Sequence, residues 1–341
     1  MTTAIETPVL VTGTAGFIGY HVAARLLREG VAVAGLDSVT DYYDVSLKEA
    51  RLAELKKHET FSEYRIDLAD RDAVLGLFET LKPCTVIHLA AQAGVRHSID
   101  HPFDYADANL MGFMGILEGC RRCESAHLVY ASTSSVYGLD GDFPLNEHQG
   151  AAHPVSLYAA TKRANELMAH SYAHLYRLPV TGLRFFTVYG PWGRPDMAYY
   201  LFTKKILAGE EIEVFNGGQM HRDFTYVDDI VEAILRIASK PATPSGDFDP
   251  KSPDPSISSA PFRVFNIGNN DPVLLNDMIV ALEDLLGRKA LRRDRPVQPG
   301  DVLATHADTS DLIAATGFAP ATSLRDGLSR FVSWYRDFHG V

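Results

Sequence analysis

A tyrosine and a lysine stand four residues apart in Tyr158-Ala-Ala-Thr-Lys162, within a pattern that predicts a helix over 157–176. This spacing places both side chains on one face of the helix, one turn apart. An ammonium beside a phenol favours the phenolate and lowers the pKa of the tyrosine from about 10 toward neutrality. A phenolate can take the proton of a substrate alcohol while hydride leaves the same carbon. The pair therefore indicates alcohol oxidation, although it also occurs in helices where the tyrosine packs and the lysine is solvated.

A hydroxyl-rich run, ASTSSVYG (131–138), follows an apolar stretch that predicts a buried strand over 127–132. The run contains no acid and no base. Short hydroxyl side chains often bond to their own backbone, and this is the alternative reading for Ser134 and Ser135. Neutral hydroxyls can also orient an anion without placing a second anion beside it.

A glycine-rich turn, Gly13-x-x-Gly16-x-x-Gly19, lies between the first predicted strand and a predicted helix over 17–29. Glycines at these positions permit a tight turn and let the backbone approach a pyrophosphate, while the helix N-terminus favours an anion. A glycine triplet alone is common by chance, but this one stands in a strand–turn–helix context. The motif predicts a dinucleotide site.

Acidic residues follow two further predicted strands. Asp37 ends the second strand, 18 residues beyond Gly19, where a carboxylate accepts hydrogen bonds from both ribose hydroxyls and repels a 2′-phosphate. NAD is therefore favoured over NADP, although Asp37 could also be a turn residue. Asp67 ends the third predicted strand and is a candidate to bond the adenine amino group.

The elements that must position these residues alternate along the first 190 residues. Strands are predicted at 8–13, 31–37, 64–67, 85–90, 127–132 and 179–185, and helices at about 17–29, 46–57, 71–81, 104–122 and 157–176. Near-continuous apolar strands that alternate with helices are typical of a parallel sheet covered on both faces. The predicted fold class is therefore α/β, a Rossmann-type doubly wound parallel sheet with a smaller mixed α/β C-terminal substrate domain.

The predicted domains are an NAD-binding domain at 1–186 and a mainly substrate-binding domain at 187–341. Residues 241–261 hold six prolines and predict a surface loop or a disordered insertion. Strand signal resumes at 262–268, where the chain could return to the first domain. Helices are predicted near 275–286 and 322–338.

The composition excludes several classes of function. The net charge of −11 argues against nucleic acid as the main partner. No window approaches the roughly 18 consecutive apolar residues of a membrane span, and the N-terminus does not read as a signal peptide. Cys120 and Cys123 have redox-motif spacing, but they close a helical pattern and lack a second pair for zinc. We expect reduced thiols, no metal and a cytoplasmic location.

These motifs, with HLAA (88–91) and RDFTYVDD (222–229), resemble the nucleotide-sugar branch of the extended short-chain dehydrogenases/reductases. The resemblance implies that Thr133 pairs with Tyr158 over the reacting oxygen and that Lys162 also holds the nicotinamide ribose. It adds six further cofactor contacts, namely Phe17, Ile18, Leu68, Leu89, Ala90 and Ala91. Two positions depart from the pattern, with Thr14 where glycine is common and Ser38 where asparagine is common.

The resemblance also narrows the reaction. Members of the branch can begin by oxidising a sugar C4 hydroxyl. The 4,6-dehydratases carry Asp-Glu where this chain has Ser134 and Ser135, and UDP-glucuronate decarboxylases carry Glu in place of Ser135. Without these carboxylates the simple outcome is return of hydride to the opposite face, which inverts C4. Four stretches resemble the UDP-glucuronate 4-epimerases in particular: 38–52, 88–98, 183–198 and 220–230.

The carboxylate of such a substrate supplies a physical reason for this pattern. A 4-ketone makes the sugar a β-keto acid, which loses CO₂ when the breaking bond lies perpendicular to the carbonyl plane. Ser134, Ser135 and Thr187 can hold the carboxylate away from that geometry with neutral hydrogen bonds. Arg194 is the charged candidate for the acidic sugar, with a surface salt bridge as its alternative role.

At the nucleotide end, the resemblance implies that Arg222 contacts the UDP diphosphate and Asp301 the ribose. Arg295 is a further candidate for phosphate, and Phe215 is a candidate for the uracil pocket. Arg96 could meet a phosphate or be solvated. The resemblance also implies tightly held NAD that is regenerated in each turnover, and a homodimer through the helices at 104–122 and 157–176.

Two other functions remain open at this stage. One is epimerisation of UDP-glucose/UDP-galactose or of N-acetylhexosamine nucleotides. The other is a catalytically silent NAD-binding protein, which the intact set of Thr133, Tyr158 and Lys162 disfavours.

Overall fold

The computed structural model describes residues 5–297 and 303–341. In these ranges the strands are β1 (Val9–Thr12), β2 (Val33–Asp37), β3 (Phe61–Arg65), β4 (Thr85–His88), β5 (His127–Thr133), β6 (Val180–Phe185), β7 (Thr187–Tyr189), β8 (Glu211–Phe215), β9 (His221–Tyr226), β10 (Phe262–Ile267), β11 (Pro272–Leu274) and β12 (Leu291–Arg295). The α-helices are α1 (Phe17–Arg28), α2 (Val45–Leu55), α3 (Arg71–Leu81), α4 (His97–Asp100), α5 (Pro102–Tyr105), α6 (Gly112–Arg122), α7 (Leu157–Tyr176), α8 (Ala198–Ala208), α9 (Val227–Ala238), α10 (Leu275–Leu286), α11 (Ser310–Thr316) and α12 (Leu324–His339).

A seven-stranded parallel sheet forms the centre, in the order β10-β6-β5-β4-β1-β2-β3. Strand β1 is buried along its whole length because both faces of the sheet are covered. Val9 and Val11 pack into one hydrophobic core with α1 and α9, whereas Leu10 points to the opposite core with α3 and α6. This arrangement confirms the predicted fold class.

Two smaller sheets lie after residue 186. Strand β9 pairs in parallel with β7 and antiparallel with β11, and β12 pairs in parallel with β8. Between β9 and β11 the chain returns to the large sheet, where β10 pairs with β6 and forms the edge. Segments on both sides of residue 186 therefore build the central layers, while the division into 1–186 and 187–341 stays a prediction.

The proline-rich segment contains no helix or strand, but it is not uniformly exposed. Most side chains between 243 and 253 are exposed. Ser256, Ser258 and Ala260 are buried, and the Ser258 hydroxyl bonds to His170 at 2.9 Å. The small side chains of its second half let this stretch pack against the protein before β10 begins.

The helix predicted over 104–122 is three pieces, because a π-helical turn (Ala106–Met111) separates α5 from α6. In that turn Asn109 is buried, and its side chain bonds to both main-chain polar groups of Gln92. Its carbonyl accepts a hydrogen bond from Asn165 of α7 at 2.7 Å. The widened turn thus joins α7 to the segment after β4, as π-turns near functional sites often do.

Other expectations concern thiols and membranes. All three cysteines are free, as expected, and Cys120 is buried. Among the described residues, no helix combines the length and apolar character needed to cross a bilayer.

Candidate active site

The glycine-rich turn has the geometry of an anion cradle. Gly13 adopts φ of +79°, and a side chain there would bring a Cβ within 2.9 Å of the Ala90 nitrogen. A Cβ on Gly19 would lie 2.0 Å from the Gly13 oxygen, so α1 can approach the turn only without it. Gly16 caps α1 without a side-chain bond, and the first turn of α1 carries no acid. Its amide groups are therefore available to a pyrophosphate.

Asp37 ends β2 beside this turn, as predicted. Its carboxylate accepts hydrogen bonds from the Ala15 nitrogen at 2.9 Å and from the Val39 nitrogen at 2.8 Å. The side chain thus holds the turn and keeps further lone pairs for ribose hydroxyls. These acceptors fit the ribose hydroxyls of a dinucleotide without a 2′-phosphate.

Asp67 lies differently from the prediction, because β3 ends at Arg65 and Asp67 is exposed in the following turn. Its carboxylate accepts a hydrogen bond from the Ala69 nitrogen at 2.9 Å, a turn-closing role. The neighbouring Leu68 is buried, and a Cβ on Gly112 would lie 2.6 Å from its Cβ.

The remaining predicted cofactor residues surround the same turn. Thr12 accepts hydrogen bonds from the main-chain nitrogens of Leu89 and Ala90 at 3.2 and 3.1 Å, which places the residues after β4 against the glycine turn. Ala91 follows directly and is half-buried. In the first turn of α1, Phe17 is buried and Ile18 is half-buried.

Thr14, the departure from the family pattern, is fully buried. Its hydroxyl oxygen has no hydrogen-bond partner among the described residues. A Cβ on Gly35 would lie 2.9 Å from this oxygen, so the threonine side chain occupies space above β2.

The catalytic triplet comes together at the carboxyl end of β5. Helix α7 begins at Leu157, where the Ser156 hydroxyl accepts a hydrogen bond from the Ala159 nitrogen. Tyr158 in its first turn interacts through its hydroxyl with Thr133, the last residue of β5, and this interaction lowers the pKa of the phenol. Lys162 follows one turn later and is buried. The structure therefore brings Thr133 and Tyr158 together, with Lys162 one turn further along α7, and the catalytic role of the three residues stays a prediction.

The expected pKa of Tyr158 needs a correction. Burial raises the pKa of the phenol, while the hydrogen bond from Thr133 and the positive charge of Arg194 lower it. Burial also lowers the pKa of Lys162 to about 8, and the nearby Glu166 carboxylate raises it. In the protein alone, desolvation outweighs the effect that the four-residue spacing predicted.

A buried ion network next to the triplet was not predicted from the sequence. The Glu166 carboxylate accepts two hydrogen bonds from Arg184 of β6, each 2.9 Å, and one from the Ser132 hydroxyl at 2.6 Å. Glu166 and Arg184 are both inaccessible to solvent. Arg184 also lies over the Tyr137 ring. The network ties α7 to β5 and β6, so it fixes Lys162 relative to Thr133.

The hydroxyl-rich run divides into local and available groups. The Ser135 nitrogen donates to the Thr133 hydroxyl at 3.2 Å, and the two hydroxyls lie 3.3 Å apart. Ser134 is half-buried, and its hydroxyl makes no hydrogen bond to a described residue. A local bond is thus part of the role of Ser135, while Ser134 keeps its hydroxyl for a ligand.

Arg194 forms a salt bridge, the alternative role considered for it, and its contact with the sugar stays a prediction. Its guanidinium forms a two-pronged ion pair with Asp196, at 3.0 and 2.5 Å. It is also close enough to lower the pKa of Tyr158. Thr187 is half-buried at the start of β7 and follows β6 by one residue.

The predicted nucleotide contacts lie on other segments. The Arg96 guanidinium lies over the Phe215 ring, 5.1 Å from its centroid. Arg295 is the register partner of Phe215, and it pairs with Glu213 at 2.6 Å instead of standing free for phosphate. Arg222 is half-buried in β9 and donates to the His221 oxygen. Asp301 lies outside the described residues.

The family of the chain follows from comparison with known proteins. Residues 9–249 match the model of the NAD dependent epimerase/dehydratase family. The chain belongs to this family. A probable UDP-glucuronate 4-epimerase from Rhizobium meliloti is 48% identical over 96% of this chain and 96% of that protein.

Solved structures of family members share the whole fold. UDP-glucuronic acid 4-epimerase from Bacillus cereus, in complex with UDP-glucuronic acid and NAD, has a TM-score of 0.85 at 31% identity and covers 97% of this chain and 99% of its own. UDP-glucose 4-epimerase from Thermotoga maritima, with UDP-glucose, has a TM-score of 0.84 at 29% identity with the same coverage. The likeness thus covers nearly the whole length of this epimerase-family chain.

Proposed function

We propose that this protein is an NAD-dependent 4-epimerase that interconverts UDP-glucuronate and UDP-galacturonate through a 4-keto intermediate. The observation that carries the proposal is the placement of Thr133, Tyr158 and Lys162 beside neutral hydroxyls and the guanidinium of Arg194. This set can oxidise an alcohol next to a carboxylate, and it contains no acid–base pair for elimination.

Proton transfer at C4 belongs to Tyr158. The interaction with Thr133 lowers the pKa of the phenol and so favours its anionic form. The Tyr158 oxygen takes the C4 hydroxyl proton and later returns it to the inverted alcohol. Lys162 stabilises the phenolate as long as its ammonium stays protonated. Bound NAD supplies hydride transfer, and the glycine turn with Asp37 would hold it.

The sugar carboxylate is held by cation and hydroxyls together. Arg194 supplies the charge, and Ser134, Ser135 and Thr187 supply neutral donors. Held in this way, the carboxylate stays away from the perpendicular geometry in which a 4-keto acid loses CO₂. A glutamate at position 135 would repel the substrate.

The nucleotide end rests on residues that only the family resemblance assigns. Arg96 and Phe215 form one contact surface, which suits a flat base or a phosphate beside it. We infer the diphosphate near Arg222 and Arg295, and the ribose near Asp301. The Arg295–Glu213 pair would have to open or turn its remaining N–H groups to the phosphate.

The direct test is incubation with UDP-glucuronate, UDP-glucose and UDP-N-acetylglucosamine, followed by NMR of the C4 configuration and measurement of released CO₂. We expect UDP-galacturonate from the first substrate, with little CO₂. Inversion of only the neutral sugars would favour the alternative, a UDP-glucose or N-acetylhexosamine 4-epimerase. Tyr158→Phe is expected to abolish turnover while NAD stays bound, which also distinguishes an enzyme from a silent NAD-binding protein.

We further infer a homodimer through α6 and α7. These helices lie side by side, and the Tyr172 hydroxyl of α7 donates to Glu118 of α6 at 2.7 Å. The two helices and the π-helical turn before α6 carry six exposed large hydrophobic side chains, Met111, Met114, Leu157, Leu167, Leu175 and Tyr176. Such a patch on two adjacent helices fits a second copy that packs as a four-helix bundle.

Three free cysteines suit a reducing compartment.

A further inference from the structure

Arg194 does not stand alone in the site. Asp196 binds its Nε at 3.0 Å and one terminal nitrogen at 2.5 Å, in the two-pronged geometry of a guanidinium–carboxylate pair. The Tyr42 hydroxyl donates to the same carboxylate at 3.3 Å. Tyr42 belongs to the segment after β2, so the contact joins that segment to the one after β7.

The contact leaves one edge of the guanidinium unused. Asp196 takes the edge formed by Nε and one terminal nitrogen, and a guanidinium offers five N–H donors in a fixed fork. The second terminal nitrogen and the outer N–H groups stay free of Asp196. Both side chains are only partly exposed, at 24% for Arg194 and 35% for Asp196. Arg194 also lies close enough to Tyr158 for its positive charge to lower the pKa of the phenol.

Tyr42 is itself held in place. Its ring packs edge-on against His97, with 4.8 Å between centroids. A Cβ on Gly94 would lie 2.5 Å from the Tyr42 hydroxyl, so the glycine makes room for it. Burial raises the pKa of Tyr42 to about 12, and the negative charge of Asp196 adds to this rise. Tyr42 therefore remains a neutral donor at physiological pH.

The backbone that carries Arg194 is fixed by Arg51, a fully buried residue of α2. Arg51 donates to the oxygens of Trp192 and Gly193 at 2.6 and 3.1 Å, and to the Ala15 oxygen at 2.7 Å. One buried cation thus joins the glycine turn to the segment before Arg194. None of the described residues supplies it with a carboxylate partner.

We propose that Asp196 and Tyr42 are positioning residues, which hold Arg194 with its free edge toward the sugar carboxylate and so set the preference for a uronate over a neutral hexose. The proposal rests on the proposed function and on the role of Arg194 in it. An arginine already held in one orientation loses little rotamer entropy when the carboxylate arrives. An Arg194 side chain that samples several orientations would let the substrate carboxylate rotate into the perpendicular geometry in which the 4-keto acid loses CO₂.

The test uses Asp196→Asn and Tyr42→Phe in the full-length enzyme with UDP-glucuronate and UDP-glucose. We expect Asp196→Asn to lower kcat/KM for UDP-glucuronate by about tenfold, the size expected when one hydrogen bond to a charged group is lost. CO₂ release per epimerisation should rise, and kcat/KM for UDP-glucose should change much less. Tyr42→Phe should shift the same ratios in the same direction by a smaller factor.

The matched control is Asp41→Asn, an exposed carboxylate on the same segment as Tyr42. It removes the same charge and should leave both ratios unchanged. Binding of UDP-glucuronate to the Tyr158→Phe background, with and without Asp196→Asn, measures positioning separately from chemistry. Tighter binding in the double variant would mean that Asp196 competes with the substrate, and it would overturn the proposal.

The two levels of the proposal fail in different ways. Absence of UDP-glucuronate turnover in the unmodified enzyme would overturn the proposed function itself. Normal turnover in the unmodified enzyme, with an unchanged ratio and unchanged CO₂ release in both variants, would overturn only the positioning role. Should Asp196→Asn unfold, Tyr42→Phe decides, because it removes a single partly exposed hydroxyl.

Discussion

At the scale of the residue, Tyr158 depends on charges that lie outside its own helix. Burial raises the pKa of the phenol, and Thr133 and Arg194 oppose that rise. Burial also lowers the pKa of Lys162 to about 8, which leaves its ammonium mostly protonated at neutral pH. Arg194 therefore acts on the proton transfer as well as on substrate recognition.

Arg194→Gln should move the pH dependence of the reaction. Removal of the guanidinium removes a positive charge that lowers the pKa of Tyr158, so that pKa rises further above its ordinary value. The acidic limb of kcat/KM should then shift to higher pH, measured with whichever substrate the variant still turns over. Arg325→Gln, which removes an exposed cation paired with Asp284, should leave the limb in place. An unmoved limb in Arg194→Gln would contradict the electrostatic role.

At the scale of the element, two buried arginines connect the helices, strands and turns that carry the site residues. Arg184 of β6 pairs with Glu166 of α7, which fixes the helix that carries Lys162. Arg51 of α2 donates hydrogen bonds to a main-chain oxygen of the glycine turn and to two main-chain oxygens directly before Arg194. Each arginine joins segments that are far apart in sequence.

Arg51→Met should destabilise the fold strongly. The substitution keeps much of the side-chain volume but leaves the oxygens of Ala15, Trp192 and Gly193 without this donor. We expect a loss of at least about 3 kcal/mol in the free energy of unfolding, since each buried group left without a partner costs about 1–3 kcal/mol. Urea denaturation measures it. Ser156→Ala, which removes only the cap of α7, sets the scale at about 1 kcal/mol. A similar loss in both variants would contradict the role of Arg51.

At the scale of the whole molecule, buried histidines on several elements couple folding to pH. Burial lowers the pKa of His21 to about 4, and lowers those of His88 and His127 to about 3. Glu147 has the opposite shift, because burial raises its pKa to about 7. In the folded state the three histidines therefore become protonated at lower pH than in the unfolded chain, and Glu147 becomes protonated at higher pH.

Stability should fall as the pH falls below about 6.5, the ordinary pKa of histidine. Between that value and about 4, the unfolded chain takes up protons that the folded histidines refuse, at roughly 1.4 kcal/mol per pH unit for each group. Protonation of Glu147 favours the folded state between about 7 and 4.5, and offsets only one of the three. Urea midpoints at several pH values measure the slope. His127→Asn should reduce that slope, and an unchanged slope would contradict the assignment.

The apolar surface of α6 and α7 belongs to the same scale. Leu167→Glu places a charge on the exposed face of α7 and should shift the enzyme from dimer to monomer in analytical ultracentrifugation. Val280→Glu, at an exposed position on α10, is the matched control and should leave the mass unchanged. A monomer in the unmodified protein would contradict the predicted dimer.

Local signals were sufficient for most elements. The helices at 71–81, 157–176 and 275–286 have the predicted bounds, because each combines an apolar face with clear ends. The π-turn within 104–122 was missed, since it arises from the bonds of Asn109 to Gln92 and Asn165 and not from a local break in the pattern.

Among site residues, those with a spacing motif were predictable and those with distant partners were not. Thr133 and Tyr158 lie together, and Lys162 follows one turn later on α7. Arg51 and Asp196 carry no motif of their own, and Arg51 meets Trp192 across 141 positions of sequence. A charged residue inside an amphipathic helix reads as solvated until the fold shows what covers it.

The sequence by itself determined the parallel sheet, the glycine turn and the family, because each depends on a repeated period or on short motifs of residues that are neighbours in the chain. Only the tertiary structure decided which way Arg194 faces, what holds it, and whether burial or the neighbouring lysine governs the pKa of Tyr158. These outcomes depend on desolvation and on contacts between distant segments, and both are set only when the folded chain brings those segments together.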